Sequence, residues 1–339
     1  MRRGRRQKRF SLRRPAAAAA MLCAALFAGY CDWFVHHPRE WIEEHAKTWP
    51  PALVETIVAT GEPVGDWTDA IGLTGTDATC EYRGAAPAGQ VFFAGEPVRT
   101  GGSAPDDIET LERGEFTIGW SPQLRHPVWV GYHVTPEIKH EALAAKRPKF
   151  AKDKRIRTSP APSEYMHTGY DRGHMAPNYA IASRFGGEMQ KKTFLMSNIS
   201  PQKPGLNRGV WRDLEHRIAK SWARKWGETW VVAGAIPGKN GETLPGTGID
   251  APSAFWQVVA AVKDGELRAF AVLIDQNAPK RAWPTRYIVS IRELENATGL
   301  DFFPLLDCAT QDAIETQTPT RLWPAGFFES FANLWFRGI

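Results

Sequence analysis

Residues 170–178 read Tyr170-Asp171-Arg172-Gly173-His174-Met175-Ala176-Pro177-Asn178. An acid, a base, a glycine and a histidine occupy four consecutive positions between an aromatic residue and a proline. Glycine lets the backbone approach another group closely. Arginine can clamp a phosphate through two parallel hydrogen bonds. Histidine is the side chain whose unperturbed pKa suits proton abstraction near neutral pH. Together these are the parts needed to cleave a phosphodiester with water. Such chemistry calls for a divalent metal that polarises the phosphate and stabilises the leaving oxygen. A hard cation such as Mg2+ takes oxygen ligands and keeps several waters.

The next segments supply oxygen donors. Thr193–Ser197 reads as a short strand leading into a turn over Asn198-Ile199-Ser200-Pro201-Gln202. An amphipathic helix is expected from about Asn207 to Trp226, with Val210, Trp211, Leu214, Ile218, Ala219, Trp222 and Trp226 on its apolar face. Gly227 ends it. Asn207 and Glu215 are eight positions apart, about 80° past two full turns, and so lie on roughly one side. Asn207 could bind the metal through its amide oxygen and Glu215 could hold a metal-bound water. The plainer readings are a helix N-cap for Asn207 and a solvated helix face for Glu215.

Upstream, Glu115–Ser121 and Pro127–Val134 alternate β-branched and aromatic residues around a turn and read as a β-hairpin. Residues 137–146 read as a short helix. Lys146, Arg147, Lys149, Lys152, Lys154, Arg155 and Arg157 then face a single acid, Asp153. This run is either a solvated loop or a phosphate-facing wall. Downstream, Thr229–Ile236, Ala254–Val262 and Leu267–Ile274 read as strands, the last two joined by an Asp264-Gly265 turn. Ser290-Ile291-Arg292-Glu293 is a capping box opening another helix. Strands interleaved with one or two long helices give an α+β domain. Residues 62–112 are rich in Gly, Pro, Thr and Asp and read as loops or an arm. Ala325–Arg337 reads as a docked amphipathic helix.

The 339 residues are 43% hydrophobic and include 14 Trp, which favours a packed aromatic core over disorder. The net charge of +5 has a local origin. Eight Arg and Lys residues lie between Arg2 and Arg14, and without them the balance is −3. An anionic partner would therefore meet a local patch, not a basic body. The basic tail precedes an apolar run through residues 16–35, the layout of a secretory signal or a signal anchor. Export is expected, with the protein periplasmic, secreted or membrane-anchored outside the cytoplasm. Of four cysteines, Cys80 and Cys308 lie in the body, where a long-range disulfide and two separate thiols are both open. No CxxC and no Cys/His cluster with zinc spacing occurs.

Asp171-Arg172-Gly173-His174, then Ser197-Asn198-Ile199-Ser200-Pro201-Gln202, then Asn207-x3-Trp211-x3-Glu215 resemble, in order and spacing, the motifs of the DNA/RNA non-specific endonuclease family. This is the ββα-metal (His-Me finger) group that includes mitochondrial endonuclease G. The resemblance covers roughly residues 113–305. It implies an α+β ββα-metal nuclease fold, an antiparallel central sheet with the metal-binding helix packed on it. It further implies Mg2+, with Mn2+ able to take its place. His174 matches the general base, Asn207 the direct metal ligand and Glu215 a carboxylate at the metal's water shell. Arg172 matches an arginine near the phosphate and Asn198 a supporting site asparagine. Arg208 is a phosphate-contact candidate only from its place beside Asn207, and Asp171 is expected to be structural. The implied partners are DNA and RNA. A second copy of the chain, and a membrane where the N-terminal segment is uncut, are further candidates.

The chain therefore divides into a basic tail and apolar segment (1–35), a linker and arm (36–112), the nuclease domain (113–310) and a C-terminal tail (311–339). Two other readings use the same residues: a membrane-tethered nucleic-acid binder without catalysis, and a phosphodiesterase of small substrates. Chelator-sensitive cleavage of long DNA separates them from an endonuclease.

Overall fold

The computed structural model describes residues 76–140 and 147–323. The N-terminal tail and apolar segment, most of the linker, Lys146 and the C-terminal amphipathic helix lie outside the described residues.

Strand-forming runs build one antiparallel sheet of eight strands. Its members are β1 (Ala78–Glu81), β3 (Glu109–Glu112), β4 (Phe116–Ser121), β5 (His126–Val134), β8 (Thr229–Ile236), β9 (Ala254–Lys263), β10 (Glu266–Asp275) and β11 (Ile288–Val289). The order is β1-β10-β9-β8-β5-β4-β3, with β11 also on β10. The β9–β10 turn is where the sequence places it: Asp264 and Gly265 both take positive φ (55° and 76°), as a tight hairpin turn requires. Two short ladders stand apart from the sheet. β2 (Val98–Arg99) pairs β12 (Leu300–Asp301), and β6 (Asp171–His174) pairs β7 (Ile199–Gln202).

Both faces of the sheet are covered, because both alternate positions of its central strands are apolar. On β9, Phe255, Val259 and Ala261 face one core, while Trp256, Val258 and Ala260 face the other. The first core lies under α1 (Asn178–Thr193) and the long helix α2. α2 runs through Pro204–Leu206, Asn207–Trp211, Arg212–Arg217, Ile218–Trp222 and Ala223–Trp226, with wide π-type turns in Asn207–Trp211 and Ile218–Trp222. Gly227, at φ 92°, ends it. The second core lies under α3 (Ile291–Thr298) and α4 (Cys308–Glu315). Ser290 and Glu293 form the expected reciprocal cap on α3.

The tryptophans fasten α2 to the sheet. Trp222 packs edge-on against Phe270 and Trp323, and its indole N–H donates to the Trp323 carbonyl at 2.9 Å. Truncating a fully buried Trp of this kind to Ala costs about 3–5 kcal/mol. Trp211 meets Phe255 edge-on and presses the start of α2 onto β9.

Several expectations are corrected here. The stretch read as an arm contributes β1 and β3 to the central sheet, so its Gly- and Pro-rich loops join paired strands. Residues 137–140 are not helical; the remainder of that expected helix lies outside the described residues. Thr193–Ser197 is the end of α1 and a helical turn, whereas the supposed turn at 199–202 is strand β7. α1 itself escapes the periodicity reading because Gly186, at φ 84°, breaks it in two. Cys80 and Cys308 are both free thiols.

Candidate active site

The motif His174 sits at the end of β6, and its partner strand β7 leads directly into α2. Register sets Arg172 opposite Pro201, Gly173 opposite Ser200 and His174 opposite Ile199. Gly173 is required by close approach: a Cβ there would overlap the buried Gln202 side chain. The product is a strand–strand–helix unit, with the metal-helix candidates projecting beside the histidine.

A cleft of about 630 Å³ opens along this unit. Asp171, Arg172, His174, Asn207, Arg208 and Glu215 all line it, with Arg147, Phe150, Tyr170, Arg212 and His216 among its other walls. All but one of the sequence-picked site residues therefore converge on one cavity. The π-type turn at Asn207–Trp211 lies at its edge, with Gly209 off helical geometry (φ −108°, ψ −118°). Such turns recur at functional sites.

Asn207 is fixed by its neighbours. Its Nδ2 donates to Asp171 Oδ2 at 2.9 Å. That leaves the amide oxygen as the group with acceptor capacity. Asp171 is clamped from the other side by Arg208, whose Nε and Nη2 donate at 2.7 and 2.6 Å. Burial alone would raise the Asp171 carboxyl, but the hydrogen bonds from Arg208 and Asn207 hold it below its ordinary 3.8. Asp171 is thus ionised and structural, as expected. Arg208 lines the cleft, with Nε and Nη2 engaged by Asp171 and the side chain otherwise exposed.

His174 lies between Phe150, tilted to it, and Phe194, edge-on to it, with ring centroids at 5.4 and 4.8 Å. Its Nε2 is buried and makes no hydrogen bond with protein. Burial, reinforced by the Arg147 charge, pushes the imidazole down to about 3. The ring is therefore neutral at pH 7 and has a lone pair available. The Trp211 indole N–H donates to the His174 carbonyl at 3.4 Å, linking β6 to α2.

Glu215 is half-buried, and burial pushes its carboxyl up to about 8 against the opposing pull of Trp211, Arg147 and Arg212. The two arginines act on it from a distance and do not offset its burial. The Tyr132 hydroxyl below is also buried, makes no hydrogen bond with protein, and is raised by burial and then by Glu215.

Asn198 is the exception. It is fully buried and does not line the cleft. Its Oδ1 accepts from the Ala176 N–H at 2.9 Å, while its Nδ2 donates to the Ala176 and Thr193 carbonyls at 2.9 and 3.0 Å. It ties the residues after His174 to the end of α1, which makes it a positioning residue and not a catalytic one.

Arg172 lies over the Phe150 ring at 5.1 Å. Among the described residues no carboxylate forms an ion pair with Arg147, Arg172 or Arg212. The basic run 147–157 hangs from its one acid: Asp153 is buried, pairs with buried Arg113, and accepts from Ser197 Oγ at 2.7 Å. Lys149, Lys152, Lys154, Arg155 and Arg157 are exposed around it. Sequence reasoning saw the run but not that Arg147 reaches the cleft, since the fold of that loop depends on the distant Arg113. On α2, Arg217 is buried against Asp213, and Lys220 lies over Tyr179. Only Arg208 and Arg212 of the cations on that helix line the cleft.

Comparison with known proteins agrees with this geometry. The profile of the DNA/RNA non-specific endonuclease family matches residues 95–309. A nuclease of Serratia marcescens is 31% identical over 217 residues, 59% of this chain and 76% of that protein. Human mitochondrial endonuclease G is 27% identical over 217 residues, 59% and 71% of the respective chains. A solved EndoG/EndoGI complex aligns with TM-score 0.57 at 23% identity, covering 66% of this chain and 95% of that chain, and shows the shared fold. The chain belongs to the DNA/RNA non-specific endonuclease family, a hydrolytic nuclease on the ββα-metal fold.

Proposed function

We propose that the cleft hydrolyses phosphodiester bonds of DNA and RNA without reading sequence, using a divalent cation, Mg2+ or Mn2+ in its place, held by Asn207. The observation that carries the proposal is the convergence of His174, Asn207 and Glu215 on one cavity bordered by arginines. The donor set suits a hard cation: a neutral amide oxygen held outward by Asp171, and the Glu215 carboxyl on the same cleft. Such a cation, when bound, supplies Lewis-acid polarisation of the phosphate.

The protein's own groups divide the remaining work. The neutral His174 imidazole takes a proton from the attacking water through the ring edge that faces the cleft. An arriving phosphate brings negative charge beside the ring and strengthens it as a base. Arg172, braced on Phe150, receives the phosphate in its fork, with Arg147 and Arg212 adding field. Glu215 orders water beside the Asn207 amide oxygen. Arginines of this kind address phosphate and not base edges, in keeping with hydrolysis indifferent to sequence. The exposed cations of residues 149–157 extend the same field along a strand. Export through the basic and apolar N-terminal segment is part of the proposal, as is a membrane contact where that segment is retained; mass analysis of the mature N-terminus separates the two.

The test is His174→Ala with folding verified, assayed on plasmid and on RNA with Mg2+ and with chelator. The expected loss is about 10²–10⁴-fold in rate. Undiminished cleavage by the variant would remove His174 as the base. Binding without cleavage by the wild type in Mg2+ would favour a non-catalytic binder instead.

A further inference from the structure

On the face of the sheet away from the cleft, three carboxylates meet. Glu295 of α3, Asp301 of β12 and Glu315 at the end of α4 each bring one oxygen within 4.8 Å of the others. Glu315 has no solvent exposure, and its Oε1 makes no hydrogen bond with protein. Gln311 also acts on the Glu315 carboxyl as a hydrogen-bond donor, and the Glu295 and Asp301 carboxyls interact with each other. Glu295 Oε1 accepts from the Phe302 N–H at 2.8 Å and Asp301 Oδ1 from Gln311 Nε2 at 2.9 Å. Arg292 Nη2 donates to Glu315 Oε2 at 2.9 Å and to Asp312 Oδ1 at 2.8 Å, and its Nε lies 3.4 Å from Glu295 Oε2. One guanidinium thus faces three carboxylates, with Asp301 a fourth beside them, and Glu315 is wholly buried with an oxygen unused. Buried charge in excess of its partners is costly. Burial and then the Glu295 charge push the Glu315 carboxyl up to about 8.

We propose that Glu295, Asp301 and Glu315 form a divalent-cation site suited to Ca2+ and separate from the catalytic cleft. Oxygens no more than 4.8 Å apart leave a central point about 2.8 Å or less from each. That needs a contraction of a few tenths of an ångström for Ca2+ at about 2.3–2.6 Å, and a larger one for Mg2+ at about 2.0–2.1 Å. Carboxylates that can bind through both oxygens, with waters, complete the six to eight ligands that Ca2+ takes. The ion joins α3, β12 and α4 at one point. Since α4 packs on the edge strand β1, it fastens the C-terminal part of the chain to the sheet. None of the three residues lines the cleft.

The experiment titrates Ca2+ into the chelator-treated full chain and follows thermal unfolding, in wild type, Glu315→Gln, Asp301→Asn and Asn207→Ala. At 100-fold excess over Kd the wild type and Asn207→Ala should rise together by about 5 °C or more. Glu315→Gln and Asp301→Asn should show no rise. Glu315→Gln removes one charge from the crowded set, so without Ca2+ it should melt no lower than wild type. Asp301→Asn, at a half-buried position, provides the same readout independently. Absence of a rise in the wild type overturns the site, as does an equal rise in both carboxylate variants. A rise lost in Asn207→Ala would assign the ion to the cleft and likewise overturn it.

Discussion

The side-chain amide of Asn207 donates to the carboxylate of Asp171 at 2.9 Å, across 36 residues of sequence and between helix α2 and strand β6. One hydrogen bond therefore decides which end of the Asn207 amide faces the cleft. Asp171→Asn keeps the shape but removes the charge that orients Asn207 and Arg208. The Mg2+ concentration for half-maximal cleavage should rise about 10–100-fold, the usual effect of losing a partner behind a metal ligand. Cleavage rate against Mg2+ concentration measures it, and an unchanged midpoint would refute the orienting role.

The Arg113–Asp153 pair is buried on both sides and holds the basic loop. Asp153→Ala strands a guanidinium in the interior and frees Ser197. The expected loss is about 3–5 kcal/mol in chemical denaturation. Replacing Asp153 with Leu and Arg113 with Met together should cost much less, because no unpaired charge is left. Equal losses in the single and double variants would contradict the account.

Asn198 makes three buried hydrogen bonds to backbone groups. Asn198→Ala should lower stability by roughly 2–4 kcal/mol, allowing for the partners left unsatisfied. Cleavage should fall because Met175 and Ala176 no longer hold His174 in register. A variant that melts like the wild type would show that the loop has other support.

His133 on β5 lies between Glu228 and Glu115, with Nε2 3.0 Å from Glu115. Burial alone would lower the imidazole, but the two carboxylates outweigh it and raise it above 6.5. A folded-state pKa above the unfolded one stabilises fully below pH 6.5 and fades as pH climbs through the raised value. Unfolding free energy should therefore decline from about pH 6.5 upward through this group, and His133→Gln should flatten that decline. Identical pH profiles for the two proteins would rule out the linkage.

How much of this was legible in sequence follows from the range of the interactions. The β4–β5 hairpin, the β9–β10 turn, the α3 capping box and the apolar face of α2 are fixed by residues a few positions apart. The Asp171–His174 and Asn207–Glu215 motifs likewise carried the site and the family. The β6–β7 ladder was not legible: each strand is four residues, and Pro201 reads as a turn. α1 was hidden by the Gly186 break. That Arg147 reaches the cleft was not legible, because its loop hangs on Arg113, nor was the clasp of Asp171 on Arg208.

The sequence by itself determined the chemistry on offer: a histidine, an amide and a carboxylate at fixed spacing, with the basic charge confined to patches. Tertiary structure decided what those groups are. Burial against Phe150 and Phe194 keeps the His174 imidazole neutral, and burial raises the Glu215 carboxyl despite Arg147 and Arg212. Burial also turns Asn198 from a site residue into a support. Each of these depends on desolvation and on partners tens of residues away, which no local pattern encodes.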